Sequence, residues 1–210
     1  MPKPDPRTRD AIVDAAIELI VSDGYDAVSL SEVARRARVS LATIYKLFPT
    51  QRAKQSRARD EVIVAAIERW IDLNVQGDIT PASPDETLHD ALLRMMRYAF
   101  EPWLRNPGML VAYHRVANGP QRLRVRSRMF DALAPVGLRA LEVHDARYAA
   151  DVSIVMELVC DGAIGWYAEG HLELHEVFPT IARAVYRLTS DNTAIATLDP
   201  TAREDAGRIT

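Results

Sequence analysis

Apolar residues recur along this chain at the spacing of three and four that places side chains on one face of an α-helix. In the first such stretch, RTRDAIVDAAIELIVSDG, this spacing brings Ile12, Ala16, Leu19 and Ile20 together, and Gly24 is expected to end the helix. Similar stretches follow to about residue 189, and none alternates convincingly with the period of two that a half-buried strand shows. The pattern therefore predicts an all-α fold.

Three helices are predicted within the first 50 residues. Pro6 suits the first position of the first helix. Ser29 and Glu32 have the spacing of a capping box for the second helix, LSEVARRA. Ser40 can cap a third, short helix that Pro49 ends. Because the connecting turns have only about three or four residues, these helices should form one compact unit.

The rest of the chain is predicted to form a larger helical body. Helices are expected at about 52–75, 85–104, 107–117, 120–141, 145–169 and 173–189. The sequence from Ser190 onward has little apolar surface to bury and is expected to be disordered. We therefore predict an N-terminal domain over 1–51, a helical domain over 52–189 and a disordered tail over 190–210.

The segment SLSEVARRARVSLATIYKLF joins two of the short helices by a tight turn. Six apolar residues are expected to face inward: Leu30, Val33 and Ala34 on the first helix, Val39 at the turn, and Ile44 and Phe48 on the second. A helix-turn-helix unit of this kind presents the front edge of its second helix to the DNA major groove. The segment therefore predicts a DNA-binding site.

The front edge of the second helix consists of Leu41, Ala42, Thr43, Tyr45 and Lys46. Small side chains at its start allow the backbone to approach base edges. Thr43 and Tyr45 can donate hydrogen bonds to phosphates, and Lys46 can bind a phosphate or a guanine edge. The alternative is an ordinary three-helix bundle in which Tyr45 is merely a half-buried aromatic residue.

The charge distribution agrees with a polyanionic partner at the N-terminal end. The net charge of the chain is −3, but residues 1–59 carry 11 Lys and Arg against 7 Asp and Glu. Residues 60–210 carry 15 against 22. A basic segment on an acidic body is typical of proteins that bind nucleic acid through one end.

The stretch DGYDAVSLSEVARRARVSLATIYKLFPTQ, residues 23–51, resembles the N-terminal signature of the TetR-type transcriptional regulators in register and without gaps. The signature has glycine in the turn, where this chain has Arg38, and glycine in the recognition helix, where it has Ala42. A phosphate-binding lysine is often found at the position of Gln51, and either Arg52 or the N-terminus of the next helix could take over that contact. The predicted DNA-binding residues are Ser29, Arg38, Ser40, Leu41, Ala42, Thr43, Tyr45, Lys46 and Arg52.

The resemblance implies a homodimer formed by the last two helices, because one helix-turn-helix contacts only half of a palindromic operator. Small residues in DVSIVMELVCDGAIGWYAEG would allow helices to approach closely, and its aromatic residues suit an interface core. An apolar stripe in FPTIARAVYRL could complete a four-helix interface. The predicted interface residues are Gly162, Ala163, Trp166, Tyr167, Phe178, Ile181, Val185 and Leu188. The alternative is that these residues belong to the core of the single chain.

The resemblance also implies a small-molecule inducer held among the middle helices. Methionine and aromatic side chains are abundant there, and methionine fills irregular apolar sites. The predicted ligand-binding residues are Met95, Phe100, Trp103, Met109, Tyr113, Met129, Phe130, Met156 and Trp166. Plain core packing is the alternative for each of them.

Together these features predict a DNA-binding transcriptional regulator, more specifically a repressor that an apolar or amphipathic ligand releases from a palindromic operator. The competing hypothesis is an all-helical protein-interaction module without specific DNA binding. Repression is assigned only by analogy with the family.

An enzyme is the other class to consider. His171 and His175 are one helical turn apart but lack the H-E-x-x-H order of a zinc protease. Cys160 lies in an apolar stretch without a fixed basic neighbour, so an inert thiol is expected. No nucleotide-binding loop or nucleophile elbow occurs. No enzymatic activity, cofactor or metal site is therefore predicted.

The cysteine content and the N-terminus bear on localisation. The single cysteine cannot form an internal disulfide, the N-terminus lacks the apolar core of a signal peptide, and no apolar run approaches about 18 residues. We therefore expect a soluble cytoplasmic protein without contact to a membrane.

Overall fold

The computed structural model describes residues 6–49, 55–75, 86–141 and 145–190, and all regular structure in these ranges is helical. The α-helices are α1 Pro6–Asp23, α2 Leu30–Arg36, α3 Leu41–Leu47, α4 Gln55–Asn74, α5 Leu88–Arg105, α6 Pro107–Ala117, α7 Arg122–Leu141, α8 Ala146–Ala168 and α9 Leu174–Thr189. A short 3-10 turn, Tyr25–Ala27, lies between α1 and α2. The all-α prediction is confirmed. The predicted tail after Ser190 lies outside the described residues.

Local hydrogen bonds set the helix ends. Gly24 adopts φ +86°, a conformation that L side chains rarely adopt, and its N–H donates to Ile20 O at 3.1 Å. The expected end of α1 is thus confirmed. The Thr87 hydroxyl accepts the backbone N–H of Asp90 at 3.1 Å, so α5 begins at Leu88, slightly later than predicted.

The predicted capping box of α2 forms only in part. The Ser29 hydroxyl accepts the Glu32 N–H at 3.2 Å, as expected. The Glu32 carboxylate instead forms a salt bridge with Arg35 and lies 3.6 Å from Arg36. The two arginines follow one turn later on the same helix, where they reach the carboxylate more directly than the Ser29 N–H does.

The core continues from the N-terminal helices into the larger body. Helix α1 packs against α2, α4 and α6, whereas α4 also packs against α6 and α7. Helix α9 packs between α5 and α8. Because α4 and α6 touch both α1 and the body, they are the elements through which the two parts support each other. None of the described helices is long and apolar enough to cross a bilayer.

Candidate functional site

Helices α2 and α3 form a helix-turn-helix with the predicted inside and outside faces. The inward residues are Leu30, Val33 and Ala34 on α2 and Ile44 and Phe48 at α3, and each is at most 6% exposed. Val39, in the turn, is half-buried against the same core. These predictions of burial are confirmed. The back of α3 is thereby fixed to the body of the unit.

The turn places Arg38 where the family signature has glycine. Arg38 has φ +55° and is the only non-glycine residue with positive φ in the described part of the chain. The Val39 N–H donates to Ala34 O at 2.9 Å and the Arg38 N–H donates to Arg35 O at 3.3 Å. These two bonds are the C-terminal helix cap that favours glycine at this position. The chain therefore accepts some backbone strain to place a guanidinium beside α3.

We expect Arg38→Gly to raise the free energy of unfolding by about 0.5–1 kcal/mol, because glycine adopts this conformation without strain. Ala37→Gly is the control: Ala37 has φ −73°, so glycine there should lower the stability instead. Urea unfolding of both variants at one protein concentration would test this. Equal effects of the two glycines would contradict the assignment of strain to Arg38.

The front edge of α3 is free of packing. Leu41 is 40% and Tyr45 41% exposed, and Ala42 and Lys46 are also exposed. Thr43 is half-buried, and its hydroxyl lies 2.8 Å from that of Ser40. The Ser40 hydroxyl also accepts the Thr43 N–H at 3.1 Å, so the first turn of α3 is rigidly capped.

The local positive charge is distributed unevenly. Arg36 binds Asp23 at 2.7 Å and Ser22 at 3.3 Å, which joins α2 to the end of α1. The side-chain hydrogen bond from Arg35 lowers the pKa of Glu32, which keeps that carboxylate charged. By contrast, Lys46 forms no salt bridge with any described residue. Arg52 and Gln51 lie outside the described residues.

Two family profiles match the chain. Residues 12–53 match "Bacterial regulatory proteins, tetR family", and residues 85–188 match "Tetracyclin repressor-like, C-terminal domain". The chain belongs to the TetR family. Membership favours a DNA-binding regulator over an interaction module without specific DNA binding.

Individual relatives agree with this assignment. An uncharacterised helix-turn-helix-type transcriptional regulator of Bacillus subtilis, YdeS, is 45% identical over 49 residues, which are 23% of this chain and 25% of YdeS. The match thus spans about a quarter of that relative. A TetR transcriptional regulator from Rhodococcus sp. RHA1 aligns with a TM-score of 0.62 at 24% identity, covering 90% of this chain and 98% of that one. A TetR-like regulator from the same strain has a TM-score of 0.56 at 17% identity, covering 89% and 97%. These structural likenesses show the TetR-family fold.

The TetR-family body brings most of the predicted ligand-binding residues together in its interior. Met95, Phe100, Trp103, Met109, Tyr113 and Met156 are at most 7% exposed, and Met129 is half-buried. Phe130 and Trp166 are 62% and 61% exposed. These two side chains therefore do not share the interior with the other predicted residues, because their helices turn them away from the core.

An aromatic cluster and a contact between two sulfur atoms occur in this interior. The Trp103 ring centroid is 4.3 Å from that of Trp70 and 5.2 Å from that of Tyr113. Cys160 Sγ is 3.9 Å from Met96 Sδ, and burial raises the pKa of Cys160 to about 12. This thiol is therefore a poor nucleophile. Trp70 was not predicted as a site residue, although it lies on the apolar face of its helix.

The predicted dimer residues separate into two groups. Ile181 and Val185 are fully buried and Ala163 is 6% exposed, so these three belong to the core of the single chain. Phe178 and Leu188 pack against that core and are half-buried. The interface prediction is wrong for Ile181, Val185 and Ala163, because the apolar stripe of α9 covers α5 and α8. Gly162 is exposed, Trp166 is 61% exposed and Tyr167 is half-buried.

A different apolar surface is exposed on α8. Ile154 is 57%, Leu158 67% and Trp166 61% exposed, and Gly162 lies between the last two. These four residues, which we call the α8 stripe, are spaced by four and therefore share one side of the helix. Tyr186 on α9 is 63% exposed as well. The regular spacing was visible in the sequence and could have identified the stripe.

The helix-turn-helix unit is joined to the body through Tyr25. Two guanidinium groups lie over its ring, that of Arg59 at 4.7 Å and that of Arg115 at 4.9 Å from the ring centroid. Arg59 also donates to the backbone oxygen atoms of Val28 and Tyr25, at 2.5 and 2.9 Å. Arg115 binds Asp26 at 2.5 Å. Helices α4 and α6 therefore both hold the turn that precedes α2.

The two histidines considered as a possible metal pair lie at the surface. His171 and His175 are exposed, and His171 lies 3.9 Å from Glu169 near the surface. Among the described residues no group of three or more His, Cys, Asp or Glu side chains is arranged to hold a metal ion. The homologues found are transcriptional regulators.

Proposed function

We propose that the protein is a dimeric cytoplasmic repressor that binds a palindromic operator through α3 and leaves it when a largely apolar small molecule binds in the body. The observation that carries the proposal is the two-sided character of α3. Ile44 is fully buried behind it, whereas Leu41, Tyr45 and Lys46 are exposed in front. An edge of this composition on a rigidly capped helix is suited to the major groove.

Each residue of the front edge has a proposed role. Ala42 and Leu41 contact base edges or thymine methyl groups, because they are small or apolar and lie at the start of the helix. Thr43, Tyr45 and Ser40 bind phosphates through their hydroxyl groups. Lys46 binds a phosphate or a guanine edge. Ser29, Arg38 and Arg52 are proposed to contact the phosphate backbone of the DNA on either side of α3.

The proposed dimer forms through the α8 stripe and Tyr186. Large aromatic and aliphatic side chains with a glycine between them allow two copies of α8 to pack closely around a two-fold axis. To bind a palindromic operator, such a dimer must place the two α3 helices about 34–36 Å apart, on successive turns of the major groove. Gly162, Trp166 and Tyr167 are retained from the sequence prediction.

The proposed release mechanism is thermodynamic linkage. A ligand among Met95, Trp103, Met109, Tyr113 and Met156 must bind better to a conformation whose recognition helices no longer fit the operator. The effect on DNA affinity cannot exceed that difference, which is typically about 1–3 kcal/mol. Helices α4 and α6 are the proposed connection, since both contact the turn at Tyr25.

Selection of random duplex DNA by the purified protein, followed by titrations at several salt concentrations, tests the proposal. We expect a palindrome to be enriched. Lys46→Ala should weaken DNA binding about tenfold. It should also make the slope of log affinity against log salt concentration shallower by about one, as expected for the loss of one phosphate contact. Tyr45→Ala should weaken binding by a similar factor.

Arg183→Ala is the matched control for Lys46→Ala. It also removes one exposed positive charge, but from α9, a helix of the body that packs on α5 and α8 and lies outside the helix-turn-helix unit. The Arg183→Ala variant should bind the selected DNA with the affinity and the salt dependence of the parent protein. Enrichment of no sequence by the parent protein would refute the regulator and favour the interaction module.

A further inference from the structure

Trp103 carries a buried donor that the protein does not use. The residue is 1% exposed, and its indole Nε1 is the one fully buried side-chain nitrogen or oxygen atom without a hydrogen-bond partner among the described residues. Leaving such a group unpaired in an apolar interior destabilises the folded state. Native proteins rarely keep this cost without a reason.

The rings beside Trp103 offer its N–H no strong acceptor. The rings of Trp70 and Tyr113 lie at 4.3 and 5.2 Å, tilted by 55° and 59°. Met109 and Leu110, on the facing helix α6, are at most 1% exposed. An aromatic face accepts an N–H only weakly. The donor therefore lies in an apolar cluster that an oxygen atom of a guest molecule could complete.

The charges nearby select against an anionic guest. Arg126 binds Asp161 and lies 3.0 Å from Glu157, so one positive charge faces two negative ones. Burial, followed by the charge of Asp161, raises the pKa of Tyr113 above its usual value, so its hydroxyl remains a neutral donor. A carboxylate entering beside Tyr113 would meet net negative charge in a poorly hydrated site.

We propose that the cluster of Trp70, Trp103 and Tyr113 binds a neutral, largely apolar molecule that presents one oxygen acceptor, such as a ketone, ester or lactone carbonyl, to the indole N–H of Trp103. This inference rests on the proposed ligand response and narrows its chemical class. A guest in this cluster would also contact a residue next to α4, one of the helices that hold the helix-turn-helix unit. Trp103 lies on α5, and the ring it touches, Trp70, lies on α4.

The test uses three probes of similar shape, namely decalin, 2-decalone and decalin-2-carboxylate, with the full-length protein. Tryptophan indole N–H signals are recorded in ¹H–¹⁵N correlation spectra and assigned with Trp70→Phe, Trp103→Phe and Trp166→Phe. We expect 2-decalone to bind about tenfold more tightly than decalin, the factor that one well-formed hydrogen bond supplies, and the carboxylate to bind most weakly. The ketone should shift the Trp103 signal and leave that of the exposed Trp166 in place.

Trp103→Phe should bind decalin and 2-decalone equally, whereas Tyr113→Phe should keep the preference for the ketone. If Trp103→Phe does not fold, the shift of the Trp103 signal in the parent protein decides instead. Equal affinities in the parent protein, a ketone preference that survives in Trp103→Phe, or no binding of any probe would overturn the inference.

Operator binding is measured on the same samples. A protein that binds its operator but prefers no probe refutes only the ligand class. A protein that prefers the ketone but selects no DNA sequence refutes the regulator and keeps the ligand site.

Discussion

Leu158→Glu is expected to make the protein monomeric and to weaken operator binding at least about a hundredfold, which corresponds to roughly 2.7 kcal/mol. Leu158 is the most exposed of the three large apolar residues of the α8 stripe, at 67%. In a two-fold symmetric interface the substitution buries two like charges in apolar surroundings, and each costs several kcal/mol unless it is paired. The monomer retains one half-site and loses the joint binding of two.

Sedimentation equilibrium and operator titration measure the two consequences separately. Leu73→Glu is the matched control, because Leu73 is 66% exposed but lies on α4, which packs on α1, α6 and α7 rather than on α8. The control should stay dimeric with unchanged affinity. Since Leu158 is exposed in the single chain, its variant should keep the helical circular dichroism spectrum. A Leu158→Glu protein that remains dimeric would place the interface elsewhere.

The helix-turn-helix unit was predictable because the sequence signals that define it act over only a few residues. Ser29 and Ser40 lie at helix starts, and the spacing of Val33, Ile44 and Phe48 fixes which sides face inward. Caps and periodicity act within a few residues, so one sequence suffices to read them. The positive φ of Arg38 follows from the same turn, although its residue type gives no sign of it.

The body was less predictable because an apolar stripe shows that one side of a helix is covered, but not by which helix. The stripe containing Ile181 and Val185 was assigned to a partner chain, whereas α5 and α8 of the same chain cover it. The contact of Tyr25 with Arg59 and Arg115 was missed for a related reason. Those residues are 34 and 90 positions away in sequence, and only the packing of α4 and α6 brings them together.

Gly108→Ala is expected to lower the free energy of unfolding by up to about 3 kcal/mol, the upper end of the usual cost of overpacking. A Cβ atom at this position would lie 2.5 Å from the backbone oxygen of Ile20, and real Cβ atoms essentially never approach closer than 3.0 Å. The oxygen cannot easily yield, because it accepts the Gly24 N–H that ends α1. Helix α6 must therefore move away from α1.

That movement should also weaken operator binding, because α6 carries Arg115, which holds the turn before α2 through Tyr25 and Asp26. Urea unfolding at one protein concentration gives the free energy of unfolding, and operator titration shows how far the displacement of α6 changes the affinity for DNA. Gly119→Ala, just beyond the other end of α6, is the control, since its Cβ would lie 3.4 Å from its nearest neighbours and should change stability by at most about 0.5 kcal/mol. If Gly108→Ala matched this control in both measurements, α6 would not press on the end of α1, and α4 alone would have to connect the ligand site to the DNA.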